Sequence, residues 1–167
     1  MVMHRLIRAT LLALAVTAVS ATATGDARAA EGQTDARYLV IVHPSVDVGE
    51  LDDVDLQAIA IGRTRYWSAG QPVQLVVEPE GTVSRRIWSE SIADMSPRQF
   101  TQFWIGATFR GRAVVAPRAV PNAASAVQLV SMLPGAVAIV PENVLTEGVR
   151  VVPVSPDAEA LVGGGGR

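Results

Sequence analysis

The chain has 167 residues, with 14 basic against 16 acidic side chains and no cysteine. Every basic residue is arginine, and no basic run exceeds Arg85-Arg86; scattered charge of this kind argues against a nucleic-acid partner. Without cysteine, disulfides, thiolate metal sites and a lipid anchor on an N-terminal cysteine are excluded.

The N-terminal stretch reads as an export signal. His4, Arg5 and Arg8 form a basic segment ahead of an apolar run over residues 9–19, which is too short for a bilayer span of about 20 residues. Ala27-Arg28-Ala29 offers a small-residue cleavage site. The expected organisation is a signal peptide over 1–29, a polar lead-in over 30–37, one domain over 38–154 and a flexible tail over 155–167, which holds four consecutive glycines. Cleavage after Ala29 leaves 138 residues with 11 Arg against 15 acids, enough for a single core. The expected location is the periplasm, as a soluble protein.

Residues 38–42, Tyr-Leu-Val-Ile-Val, are a continuous apolar run ended by His43-Pro44 and read as a buried strand. Asp52 is placed to cap a helix, with Asp55 at N3, an apolar face of Val54, Leu56, Ile59 and Ile61, and Gly62 as the stop. Residues 63–71 form a turn-rich connection. A second apolar run (Val73, Leu75, Val76, Val77) breaks into Glu78-Pro79-Glu80-Gly81-Thr82-Val83-Ser84 and then a helix start at Arg85-Arg86-Ile87-Trp88. Ser96, Pro97 and Gln99 make a capping box with proline at N1, and Met95 and Phe100 stand where a hydrophobic staple forms. Phe100, Phe103, Trp104 and Ala107 recur at helical spacing up to Gly111. Another helix starts near Asn122 and stops at Pro134-Gly135. Residues 136–140 are an apolar strand, and 149–154 a last short one. Alternation of strands and helices favours parallel pairing.

Three stretches carry a family resemblance by their order and spacing. Residues 51–63 (Leu-Asp-Asp-Val-Asp-Leu-Gln-Ala-Ile-Ala-Ile-Gly-Arg), 67–70 (Trp-Ser-Ala-Gly) and 134–140 (Pro-Gly-Ala-Val-Ala-Ile-Val) resemble "L-S-x-x-x-L-x-x-I-F-x-G", "W-x-D/N-G" and "P-G-A-I-G-Y". These belong to the phosphate-binding branch of the ABC transporter substrate-binding proteins, type-2 periplasmic binding proteins. The resemblance covers most of residues 38–140. It implies an α/β fold: one lobe of a type-2 periplasmic binding protein, with a mixed or mainly parallel sheet flanked by helices.

The departures fall at the ligand loop. Where the family resembles "R-S-D-G-S-G-T", Glu78 stands at the arginine position, Thr82 and Ser84 keep the hydroxyls, and Val83 replaces a glycine. Ala60 replaces Phe, and Ala138 and Ile139 replace Gly and Tyr. A strand–loop–helix of this kind aims unpaired N–H groups and a helix dipole at one point. The expected site is therefore Gly81, Thr82, Ser84, Arg85 and Arg86, holding a small oxyanion such as phosphate weakly. The resemblance implies a membrane transporter or sensor as partner, or a second copy supplying the absent lobe. The alternative is an interaction module without ligand, docking on such a partner.

No cofactor or metal is expected; His43 is the only histidine beyond the signal segment and builds no cluster alone. No catalytic motif is present (neither G-x-S-x-G, H-E-x-x-H nor a phosphate-binding Walker loop), and the Asp52, Asp53, Asp55 group reads as helix-start chemistry, so no enzyme activity is expected. Trp67, Trp88 and Trp104 are expected in the core.

Overall fold

A computed structural model describes residues 36–111 and 115–163. The signal peptide and most of the lead-in expected from the sequence lie outside the described residues. Five strands, β1 (Tyr38–Val42), β2 (Gln74–Val77), β3 (Arg118–Ala119), β4 (Ala136–Pro141) and β5 (Arg150–Val152), form one sheet in the order β3-β2-β4-β1-β5. Helices α1 (Asp53–Ala60), α2 (Val83–Arg86), α3 (Pro97–Phe109), α4 (Ala123–Met132) and α5 (Pro156–Gly163) cover it. The sheet is mixed. β2 runs parallel to β3 and β4, whereas β1 is antiparallel to both β4 and β5. Parallel pairing thus holds only for the β2–β3 and β2–β4 ladders.

Side-chain alternation sorts the sheet residues between two cores. Val40, Val42, Leu75, Val77, Val137, Ile139 and Val152 face a larger cluster with α1, α3 and α5. Ile41, Val76, Ala136, Ala138 and Val140 face a smaller one completed by Ala126, Val127 and Val130 of α4. Because β4 is buried on both faces, it must be apolar at successive positions, which is why 136–140 reads as an unbroken run.

The caps are those the sequence signals. Asp52 Oδ1 accepts from Asp55 N at 2.7 Å, Asn122 Oδ1 from Ser125 N at 2.9 Å, and Ser96 with Gln99 forms the reciprocal capping box. All three tryptophans are buried. Trp67 Nε1 donates to Gly135 O at 2.9 Å and Trp104 Nε1 to Ala60 O at 3.0 Å.

One expectation needs correction. The tail after Ser155 is not flexible over its described part: α5 packs Ala158 and Val162 into the larger core, at 0% and 1% exposure. Its start repeats the logic of α3. Ser155 Oγ accepts from Ala158 N at 3.3 Å, Pro156 occupies the first turn, and Asp157 and Glu159 complement the dipole. The helix beginning at Val83 changes type, passing into a π-helical stretch over Ile87–Ile92. Fully buried Ser89 donates its hydroxyl to Arg85 O at 2.9 Å, competing with the backbone at the turn where the helix widens.

Candidate functional site

The loop between β2 and α2 lies at the carboxyl end of a strand, where ligands bind in open α/β sheets. Gly81 turns the chain in the left-handed region, at φ 97°, where a side chain is costly. Thr82 then caps α2: its Oγ1 accepts from Arg85 N at 3.3 Å and donates to Pro79 O at 2.9 Å. The N–H groups of Val83 and Ser84, as first-turn positions, have no helical acceptor and point out of the helix start.

Ser84 is 3% exposed, and its hydroxyl donates to Glu78 Oε1 at 2.7 Å. Thr82 Oγ1 lies 3.5 Å from the same hydroxyl. A carboxylate of the chain itself therefore takes the hydroxyl that an oxyanion would use. Arg86 stays with the loop, donating from Nη1 to Gly81 O at 3.4 Å. Tyr38, at the start of β1, belongs to the same neighbourhood. Burial holds its phenol above the ordinary value near 10, the Glu78 carboxylate adds to that rise, and Arg86 opposes it.

Arg85 departs from the expectation. Its backbone N–H remains in the loop, but its guanidinium leaves for α3: Nη2 donates to Thr101 Oγ1 at 2.9 Å, and the cation sits 4.9 Å from the centre of the Phe100 ring. Thr101 in turn donates to Glu80 Oε1 at 2.7 Å. Burial lowers the Arg85 pKa, and Glu80 works against that fall. The structure thus brings Gly81, Thr82, Ser84 and Arg86 together and separates the Arg85 side chain from them. Tyr38 and Thr101 were not singled out in the sequence; each is an isolated polar residue in an apolar or helical segment and carries no spacing signal.

Three solved structures share the fold. The ABC-type phosphate transport receptor of Vibrio cholerae superposes with a TM-score of 0.55 at 14% identity, over 71% of this chain and 47% of that one. A phosphate ABC transporter substrate-binding protein of Clostridium perfringens, with bound phosphate, gives 0.55 at 16% identity, over 71% and 45%. PstS of Borrelia burgdorferi gives 0.53 at 12%, over 72% and 48%. The chain shares the α/β fold of about half of each of these proteins.

It spans about half the length of each of these proteins. No family model matches the sequence, and no curated protein matches it. At this level of identity the likeness is one of fold. Among the described residues no group of His, Asp and Glu is placed to hold a metal ion, and no helix is long and apolar enough to cross a membrane.

Proposed function

We propose that this chain is an exported binding module of the phosphate ABC transporter type, which takes a small oxyanion such as phosphate weakly at Gly81, Thr82, Ser84 and Arg86. The observation that carries this reading is the loop itself: a glycine turn, two hydroxyls and a helix start at the end of β2, on a lobe whose fold is shared with phosphate-binding proteins. The weakness has a stated cause. Glu78 holds the Ser84 hydroxyl at 2.7 Å, and a carboxylate about 4 Å from an oxyanion costs about 1–4 kcal/mol at effective dielectrics between water and a protein surface. A single lobe also leaves its ligand open to water, where contacts from one side give little affinity. A membrane transporter, a sensor or a second copy would supply the opposing wall.

Phosphate titration, with sulfate as comparison, tests the reading. Saturable heat that is lost in Ser84→Ala supports it, and heat unchanged by both Ser84→Ala and Arg86→Ala removes this loop as the site.

The Ser84–Glu78 hydrogen bond also favours a second reading, in which the loop is permanently self-capped and the module docks on a periplasmic or membrane protein without ligand. That reading expects no heat with any oxyanion, in wild type or in Glu78→Gln.

A further inference from the structure

Beside the loop lies an open cleft of about 350 Å³ under α3, bordered by Val77 of β2, by Ala119 of β3 and by Ala116 and Pro117 ahead of β3. Val77, Trp104, Ile105, Phe109 and Ala119 make its walls apolar, and the Arg85 guanidinium and Thr101 hydroxyl enter it as polar groups on one side. Arg85 is the unusual member. It is 93% buried, from a relative exposure of 7%, and its Nε has no hydrogen-bond partner. Of its five donors, Nη2 reaches a neutral hydroxyl, and the ring of Phe100 supplies a cation–π contact. The ion pair found among the described residues is Arg37 with Glu159, elsewhere on the molecule. Glu80 makes no direct hydrogen bond to Arg85; its carboxylate is held by the Thr101 hydroxyl at 2.7 Å and offsets the guanidinium charge in part. A desolvated cation loses several kcal/mol of hydration, and one neutral hydrogen bond with a ring contact replaces little of it.

Further along α3 the lining poses a complementary problem. Phe109 is 89% exposed and Ile105 52% exposed, so the cleft mouth presents apolar side chains to water. One occupant relieves both: an anionic head on the guanidinium and an apolar tail along α3. The volume limits its size. At about 30 Å³ for each heavy atom, the share of a water in the liquid, it has room for roughly ten. We propose that this cleft binds a small monocarboxylate with an unbranched apolar tail, its head on the Arg85 guanidinium and its tail against Trp104, Ile105 and Phe109. The site uses the Arg85 side chain, whereas the oxyanion loop uses only its backbone N–H; the two touch through the Thr101–Glu80 hydrogen bond.

Calorimetric titration of the purified protein with sodium octanoate, alongside 1-octanol and inorganic phosphate, tests the proposal. One saturable octanoate site is expected, with octanol at least about tenfold weaker, since a charge-assisted hydrogen bond is worth about twice a neutral one. Arg85→Met should weaken octanoate at least about tenfold. Thr108→Trp, which fills the cleft from an exposed position on α3 and leaves Arg85 in place, should abolish it while circular dichroism stays unchanged. Octanol binding as tightly as octanoate, octanoate binding that survives Thr108→Trp, or no octanoate heat at all would overturn the proposal. Phosphate heat that survives Thr108→Trp and is lost in Ser84→Ala reports on the loop, so the two readings fail separately.

Discussion

The two ends of the sheet hold their polar groups in opposite ways. At the amino end of β4 the partners are neutral and set by the backbone. Gly135 O accepts from Trp67 Nε1 at 2.9 Å and from Gln74 N at 3.0 Å, while Ala136 O accepts from His43 N at 3.0 Å. At the carboxyl end of β2 they are charged: Glu78 is held by Ser84, and Arg85 is held by Thr101 and Phe100. Arg150 at the amino end of β4 also gives its Nη2 to the backbone carbonyls of Val46 and Val48, so the groups there serve the fold. The carboxyl end of β2 leaves a carboxylate and a guanidinium without direct counter-ions, and charge that is not cancelled at home is available to a ligand. Substitutions at the two ends should therefore be felt in different quantities, stability at one and binding at the other.

The largest expected effect is at the neutral end. Gly135 has φ 80°, and an added Cβ would collide with the Pro72 carbonyl oxygen. Left-handed strain and overpacking together predict that Gly135→Ala lowers the unfolding free energy by about 3–5 kcal/mol, measured by urea denaturation, if the chain folds at all. Trp67→Phe keeps the ring and removes the donor to Gly135 O, so a loss of about 1–2 kcal/mol is expected. Thr82→Ala at the charged end should cost about 1 kcal/mol as a lost cap. A larger loss there would erase the contrast between the two ends.

The smallest effect is in pH. The folded state raises the Tyr38 pKa, chiefly by burial and then by Glu78, so it binds the phenolic proton more tightly than the unfolded chain. The resulting stability is complete below the ordinary value near 10 and is lost as pH rises through the folded value. Tyr38→Phe should flatten the fall in stability above about pH 10, and Glu78→Gln should reduce it in part. A slope unaffected by Tyr38→Phe would remove Tyr38 from the charged neighbourhood.

Much of the fold was legible because its signals are local. The Ser96–Gln99 capping box, the Asp52 and Asn122 caps and the glycine stops act within a few residues, and periodicity marks their helices. The unbroken apolar run of β4 marks a strand buried on both faces. Strand direction was less legible: an antiparallel β1 depends on where the chain re-enters the sheet, which no local pattern encodes. β3, two exposed residues long, has no pattern to detect. The hydroxyls of Thr82 and Ser84 were visible in the strand–loop–helix pattern, and the family resemblance marked Glu78 as a misplaced charge. That Ser84 binds Glu78, and that Arg85 turns to Thr101 sixteen residues away, are tertiary facts beyond the reach of sequence pattern.

The central claim is that Glu78 acts as an internal competitor at an otherwise competent oxyanion loop. Calorimetric titration of phosphate into wild type and Glu78→Gln tests it most directly. Removing the charge while keeping the side-chain shape should tighten phosphate at least about fivefold, the equivalent of about 1 kcal/mol of relieved repulsion. Affinity that is unchanged or weaker in Glu78→Gln would contradict the claim and reduce residues 81–86 to the start of a helix.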